Sequence, residues 1–301
     1  MSVLLRGRVA VVTGAGRGIG RATALELARQ GAAVVVNDVG TELDGAGRDA
    51  SLAAQVAAEI EAAGGRAAAS GESVAEWGSA QLIVATALER FGAVDVLVNN
   101  AGLSAGAPVF ELEPALFERV VASHLHGSFY CMRAAAPHMK ARGWGRIVNL
   151  VSRAGIIGVP GTAAYGAGKG GVFGLTNVAS RDLAPFGVTV NAVNPSSTDT
   201  RMVARAIEAG RAAGGDAALR AENLAAAMQR PEDVAVLIAA LCSEAAAGLT
   251  GQLFFVAKSR VALFQPLTLA QSREKEGPWT ADELAKELAS FVPYPLDTPY
   301  G

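Results

Sequence analysis

One stretch, VAVVTGAGRGIG over residues 9–20, constrains this chain more tightly than any other. Its first half is a run of small and β-branched apolar side chains, the pattern of a strand covered on both faces. Its second half places Gly14, Gly18 and Gly20 where the strand gives way to a helical pattern. A turn this tight needs residues without Cβ, and the helix start behind it leaves backbone N–H groups free to hold a pyrophosphate. Glycine-rich turns are common by themselves. After an apolar strand and before a helix, within a βαβ unit, this one reads as a nucleotide-binding turn.

The rest of the chain repeats that alternation. Further strands are expected at 33–38, 66–70, 94–100, 146–152, 188–194 and 252–257, with helical patterns near 18–30, 51–63, 75–90, 114–141, 163–185 and 231–246. Ser51 reads as an N-cap, Pro114 and Pro231 as first-turn residues, and Gly31, Gly64 and Gly92 as C-terminal caps. Solidly apolar strands alternating with helices predict an α/β fold. Its doubly wound parallel sheet carries helices on both faces and binds ligands at the carboxyl ends of the strands. Residues 1–257 read as one catalytic domain, with a Gly/Ala-rich insertion at 196–230 shaping the substrate site. Residues 258–301 read as an extension packed on that domain or on a partner subunit. Within it, Thr280 and Glu283 predict a capping box for one more helix.

Composition narrows the function classes. At 51% hydrophobic and 18% charged residues the chain is an ordinary globular one, and a net charge of −2 offers no basic field to nucleic acid or an anionic membrane. No run approaches the ~18 apolar residues of a membrane span. Arg6 and Arg8 interrupt the first apolar residues and the terminal PYG is no peroxisomal address, so a cytoplasmic protein is expected. Cys131 and Cys242 lie in apolar helical patterns and read as buried hydrophobes, with no metal site expected.

Four further motifs carry chemistry. Asp38 ends the second strand, where a carboxylate would hold ribose hydroxyls and repel a 2′-phosphate, favouring NAD over NADP. Arg17 in the glycine turn argues the other way, and the apolar Val39 argues back; Asp38 as a simple turn cap is the plainer alternative. NNAG at 99–102 follows the fourth strand and reads either as ribose support or as an ordinary turn. Ser152 ends the fifth strand. Tyr165 and Lys169, in YGAGK, stand one helical turn apart on one face. A free phenol titrates near 10, and a neighbouring ammonium stabilises its phenolate and lowers that value. Such a spacing alone is an everyday surface pair.

Taken together, TGAGRGIG, NNAG, Ser152 and YGAGK, in this order and spacing, resemble the short-chain dehydrogenase/reductase family over residues 6–257. The resemblance implies a seven-stranded Rossmann sheet and a nicotinamide cofactor. It implies Tyr165 as catalytic acid/base, Lys169 binding the nicotinamide ribose and lowering the tyrosine pKa, and Ser152 orienting the substrate oxygen. The implied cofactor contacts are Gly14, Arg17, Gly18, Ile19, Gly20, Asp38, Ser73, Val74, Asn100, Ala101 and Gly102, with Tyr165, Lys169, Pro195, Thr198 and Thr200. VVVNDVG with the long loop TELDGAGRDAS, VASHLHGSFYCMRAAAPHM and NPSSTDTRM are further similar to the dehydrogenase units of peroxisomal multifunctional β-oxidation enzymes and their stand-alone bacterial relatives. That likeness implies a (3R)-hydroxyacyl-CoA or a sterol-derived alcohol as substrate.

Three positions depart from the broad family. His124 stands where Asn often holds a proton-relay water; an imidazole both donates and accepts, so it reads as a relay member or as a hydrogen-bonded core residue at a helix irregularity near Gly127. Ser196 replaces the glycine usual after the sixth strand. The chain then runs on through VAKSRVALFQ into the extension, where Trp279, Phe291 and Tyr294 read as a roof over the site or, by preference, as a subunit interface. The expected function is an NAD-dependent dehydrogenase oxidising a secondary alcohol or reducing the ketone, as a homodimer or homotetramer. A β-ketoacyl reductase and a terpenoid or xenobiotic alcohol dehydrogenase are the alternatives within the class. A nicotinamide-binding sensor or scaffold with little turnover is the alternative outside it.

Overall fold

The computed structural model describes residues 3–293. The chain divides after Leu263 into two compact units. The first is built on an eight-stranded sheet with the order β3-β2-β1-β4-β5-β6-β7-β8. The strands are β1 (Val9–Thr13), β2 (Ala33–Asn37), β3 (Arg66–Ser70), β4 (Val96–Asn99), β5 (Gly145–Leu150), β6 (Val188–Pro195), β7 (Leu253–Ala257) and β8 (Arg260–Leu263). The seven expected strands all form and pair parallel. Helices α1 (Gly18–Arg29), α2 (Ser51–Ala62), α3 (Trp77–Phe91), α4 (Pro114–Val121), α5 (Gly127–Arg142), α6 (Arg153–Ile156), α7 (Ala163–Leu183), α8 (Arg201–Ala213), α9 (Gly215–Ala226) and α10 (Pro231–Leu241) complete this unit.

Why the strands read so clearly is visible in their burial. Every residue of β1, β2, β4 and β5 is buried, because helices cover both faces. One face packs Val12, Val34 and Val98 with Leu27, Ile60 and Ile238 of α1, α2 and α10. The other packs Val11, Val35 and Leu97 with Ile83 and Met139 of α3 and α5. Pro114 and Pro231 take the first positions of α4 and α10, and Gly92 closes α3 at φ 79°. Ser51 differs from expectation: it is the first residue inside α2, and Asp49 Oδ1 accepts its N–H.

Two larger differences have physical causes. The expected single helix over 114–141 is interrupted by a π-turn at Ala122–His126, which inserts one residue between α4 and α5. The eighth strand, β8, was not expected. It returns antiparallel on β7 through the two-residue turn Lys258–Ser259, with Ala257 opposite Arg260. Such turns favour Asn or Gly, and here Lys258 takes φ 54°, the one positive φ outside glycine among the described residues. The insertion at 196–230 forms α8 and α9. In the second unit, α11 (Ala281–Leu288) starts on the expected reciprocal Thr280–Glu283 box. Within that unit Lys275 lies over Trp279 and Arg273 over Phe291. Tyr294 lies outside the described residues.

At the amino-terminal edge of the sheet a fully buried carboxylate joins three strands. Asp95 Oδ2 accepts the Val9 N–H at 2.9 Å, and Oδ1 accepts from Arg142 Nε at 3.1 Å, with Arg8 Nη1 at 3.7 Å. Its own N–H donates to Val9 O and its carbonyl accepts from Arg146 N. Removing the carboxylate leaves a strand N–H and the Arg142 guanidinium without their acceptor, while Arg8 keeps Glu244 at 2.9 Å. Asp95→Ala is expected to lower unfolding free energy by about 3 kcal/mol in urea titrations; a loss under about 1 kcal/mol would show that backbone pairing alone holds this edge.

Candidate active site

The sheet order reverses between β1 and β4, and the cleft opens above that point. Thr13 Oγ1 accepts the N–H groups of Asn100 and Ala101, both at 3.1 Å, and donates to Val98 O. Asn100 Nδ2 donates to Thr13 O at 2.9 Å and Gly14 O at 3.0 Å. These bonds bring the glycine turn and the NNAG turn together. Gly14 has φ 62°, and a Cβ on it would lie 2.8 Å from Ala101 Cα. A Cβ on Gly20 would lie 2.1 Å from Gly14 O, so Gly20 serves close packing, and it does not line the cleft. Helix α1 begins beside the cleft with no side chain capping its first turn. The cleft encloses about 960 Å³. Its open helix start, its glycine turn and a carboxylate beside that turn fit a dinucleotide.

That carboxylate is Asp38. Its Oδ2 accepts from Gly16 N at 2.8 Å and its Oδ1 from Gly40 N at 2.7 Å. Asp38 is thus the turn cap of the plainer reading, and it also lines the cleft. Each oxygen keeps a lone pair for a further donor. Arg17, Ile19, Ser73, Val74, Ala101 and Gly102 line the same space. Arg17 Nη1 is buried with no partner among the described residues. The long loop after β2 crosses the cleft: Arg201 Nη1 meets Glu42 Oε2 at 3.1 Å, and Ser104 N donates to Leu43 O. The sequence offered no signal for this strap beyond the loop's length.

At the other end stand Tyr165 and Lys169 of α7, both lining the cleft. A buried chain of bonds sets the height of α7 on the sheet. Asn99 Nδ2 donates to Asn149 Oδ1, Asn149 Nδ2 to Thr176 Oγ1, and Thr176 Oγ1 to Val172 O. Lys169 Nζ donates to Leu150 O at 2.6 Å and lies 5.9 Å from the Tyr165 ring centre. Burial pulls this lysine down to about 7. Burial also raises the Tyr165 phenol above its usual range, while a hydrogen bond with the Ser152 hydroxyl acts the other way. The expected lowering by Lys169 does not show in the protein alone, where loss of solvent decides the direction and Ser152 opposes it. Ser152 itself caps α6, its Oγ accepting from Ala154 N at 3.3 Å.

His124 sits within the π-turn, 2% exposed, with its ring edge-on to Tyr165 at 5.1 Å between centres. Its Nε2 lies 2.9 Å from Leu103 O and must carry the proton, since a carbonyl only accepts. Nδ1 is buried without a partner among the described residues. Burial, then the charge of Lys169, brings the imidazole down to about 3, with the Leu103 bond opposing. His124 is therefore a neutral, hydrogen-bonded residue that also faces the cleft.

After β6, Pro195 and Thr200 line the cleft, as does Asp199, which sequence reading did not single out. Thr200 also caps α8. Thr198 differs from expectation. It is 3% exposed and does not line the cleft; its Oγ1 donates to Ser196 O and accepts from Gln229 Nε2.

The profile of the short chain dehydrogenase family matches residues 8–210. Hydroxyacyl-CoA dehydrogenase ChsB1 of Mycobacterium tuberculosis is 35% identical over 301 residues, covering 95% of this chain and 89% of that protein. Peroxisomal multifunctional enzyme type 2 of Mus musculus is 38% identical over 238 residues; the match covers 79% of this chain and 30% of that longer protein. A crystal structure of a short chain dehydrogenase from Mycobacterium avium has 38% identity and a TM-score of 0.80, covering 95% of this chain and 94% of its own. Identity at this level over nearly the whole length carries more than a common fold, and the chain belongs to the short chain dehydrogenase family.

Proposed function

We propose that this chain is an NAD-dependent dehydrogenase that oxidises a secondary alcohol, or reduces the corresponding ketone, on a 3-hydroxyacyl-CoA or a sterol-derived compound. One observation carries it: a phenol and an amine one turn apart on α7 face a cleft that starts at a glycine turn. Bound NAD supplies the hydride acceptor, which no side chain can. In its phenolate form Tyr165 takes the proton from the substrate hydroxyl and becomes the phenol, and Ser152, its hydrogen-bond partner, holds the same substrate oxygen. Lys169 keeps one proton on Leu150 O, and its remaining protons are free for ribose hydroxyls. Near its midpoint at neutral pH, that amine sets the field at the phenol by gaining or losing its charge.

Asp38 favours NAD, because its carboxylate is fixed at the adenosine end and would repel a 2′-phosphate. The name of hydroxyacyl-CoA dehydrogenase ChsB1 supports the thioester class of substrate. Exposed Phe129 on α5 and Val178 on α7 support self-association as a dimer or tetramer. No described helix is long and apolar enough to cross a membrane, in keeping with a cytoplasmic enzyme.

Nicotinamide absorbance with 3-hydroxyacyl-CoA esters and sterol-derived alcohols tests the proposal; tight NAD binding with turnover of none of them would sink it. Tyr165→Phe is expected to cut kcat about 10³-fold and leave NAD affinity within about threefold; retained turnover removes the phenol from the chemistry. Lys169→Met is expected to lose turnover and raise the melting temperature at pH 7. The wild-type amine titrates near 7 in the fold against 10.5 when unperturbed, so its burial cost is complete at pH 7 and below. The gain should shrink as pH rises towards 10.5, and a melting temperature lowered at every pH would contradict this origin. Asp38→Ala should lower the NAD/NADP ratio of kcat/KM by about tenfold; an unchanged ratio refutes the repulsion.

A further inference from the structure

The geometry points to Gln229 as the positioning residue that shapes the nicotinamide end of the cleft, an inference that rests on the NAD reading above. Asp38 follows β2 on one side of the switch point; Tyr165 and the segment after β6 lie on the other. That segment, Pro195–Thr200, presents Pro195, Asp199 and Thr200 to the cleft, and Thr200 Cγ2 would lie 3.0 Å from a Cβ on Gly18. Ser196 takes no positive φ, so the turn makes no use of glycine's freedom, and hydrogen bonds from beyond the segment give it outside support.

Gln229, in the short link between α9 and α10, supplies it. Its backbone N–H donates to Ser197 O and its carbonyl accepts from Asp199 N, both at 2.8 Å. Its side chain is 3% exposed. Nε2 is 3.1 Å from Val256 O, 3.2 Å from Thr198 Oγ1 and 3.4 Å from Ser196 O, and Oε1 accepts from Lys258 N at 2.6 Å. One primary amide thus ties the end of β6, the end of β7 and the turn at Thr198 into a single piece. Only a group with donors and an acceptor on one carbon satisfies all these partners. A carboxylate would face the carbonyls of Val256 and Ser196 with no proton to offer.

The role is separable from general stability by the cofactor's own two halves. ADP-ribose carries the adenosine, both phosphates and the second ribose but lacks the nicotinamide ring. In titrations monitored by calorimetry, Gln229→Met is expected to weaken NAD binding by about tenfold and ADP-ribose binding by less than about twofold. Thr198→Val removes one acceptor of the amide while sparing Gln229, and should show the same selectivity at about threefold. Both variants are compared at a temperature well below their measured melting points. Equal losses for NAD and ADP-ribose, or no loss for either, would overturn the inference while leaving the NAD reading intact. Failure of the unaltered protein to bind NAD would instead overturn that reading, and this inference with it.

Discussion

Everything at the site depends on how Thr13 and Asn100 hold the two strands at the point where the sheet reverses direction. One hydroxyl accepts two backbone N–H groups from the NNAG turn, and one amide reaches back to two carbonyls of the glycine turn. Neither turn could take its shape alone, because each fills space the other leaves. The missing Cβ atoms of Gly14 and Gly20 are where Ala101, Asn100 and the Gly14 carbonyl pass. The nearest consequence is an uncapped helix start facing an open cleft, which suits an anion. The farther one is that α7 can be set at a fixed height over the same cleft.

That setting places three titratable groups where burial disfavours their charged forms. Lys169, Tyr165 and His124 all shift in the direction that loss of water imposes. The lysine has one carbonyl partner and the imidazole one, while the phenol has a serine. A chain selected for stability alone would hold none of them there. Their cost is borne by the packed sheet behind, and the Asn99–Asn149–Thr176 chain keeps them from relaxing away.

Much of the fold was readable because its strands are buried on both faces, and such strands leave an unbroken apolar signal. Even RAAAS, weak by propensity, forms β3, since its place beside β2 is set by the βαβ connection. What escaped reading lies where one residue acts against its type. Lys258 turns a hairpin that its sequence does not advertise. The π-turn is invisible to periodicity, because one inserted residue blurs a helical stripe without erasing it. At the site, motifs located the turns but not the direction of each side chain. Thr198 was placed correctly on its loop, yet its hydroxyl turns inward to a glutamine 31 residues further on. Gln229 itself carried no local signal, since its partners come together only in the folded chain.

The π-turn places its extra residue at the edge of the site. Between Val121 and Gly127 the helix carries one residue more than its α-helical path needs. Deleting a residue there would yield a smoother helix with both flanks still in phase, because the wide turn absorbs the extra residue locally. Val120, wholly enclosed in the regular helix before it, would stay packed, but the imidazole beside Tyr165 would lose its place. Length variation that a surface loop absorbs without harm would therefore act here on the site itself, by moving the side chains that the wide turn presents to the cleft.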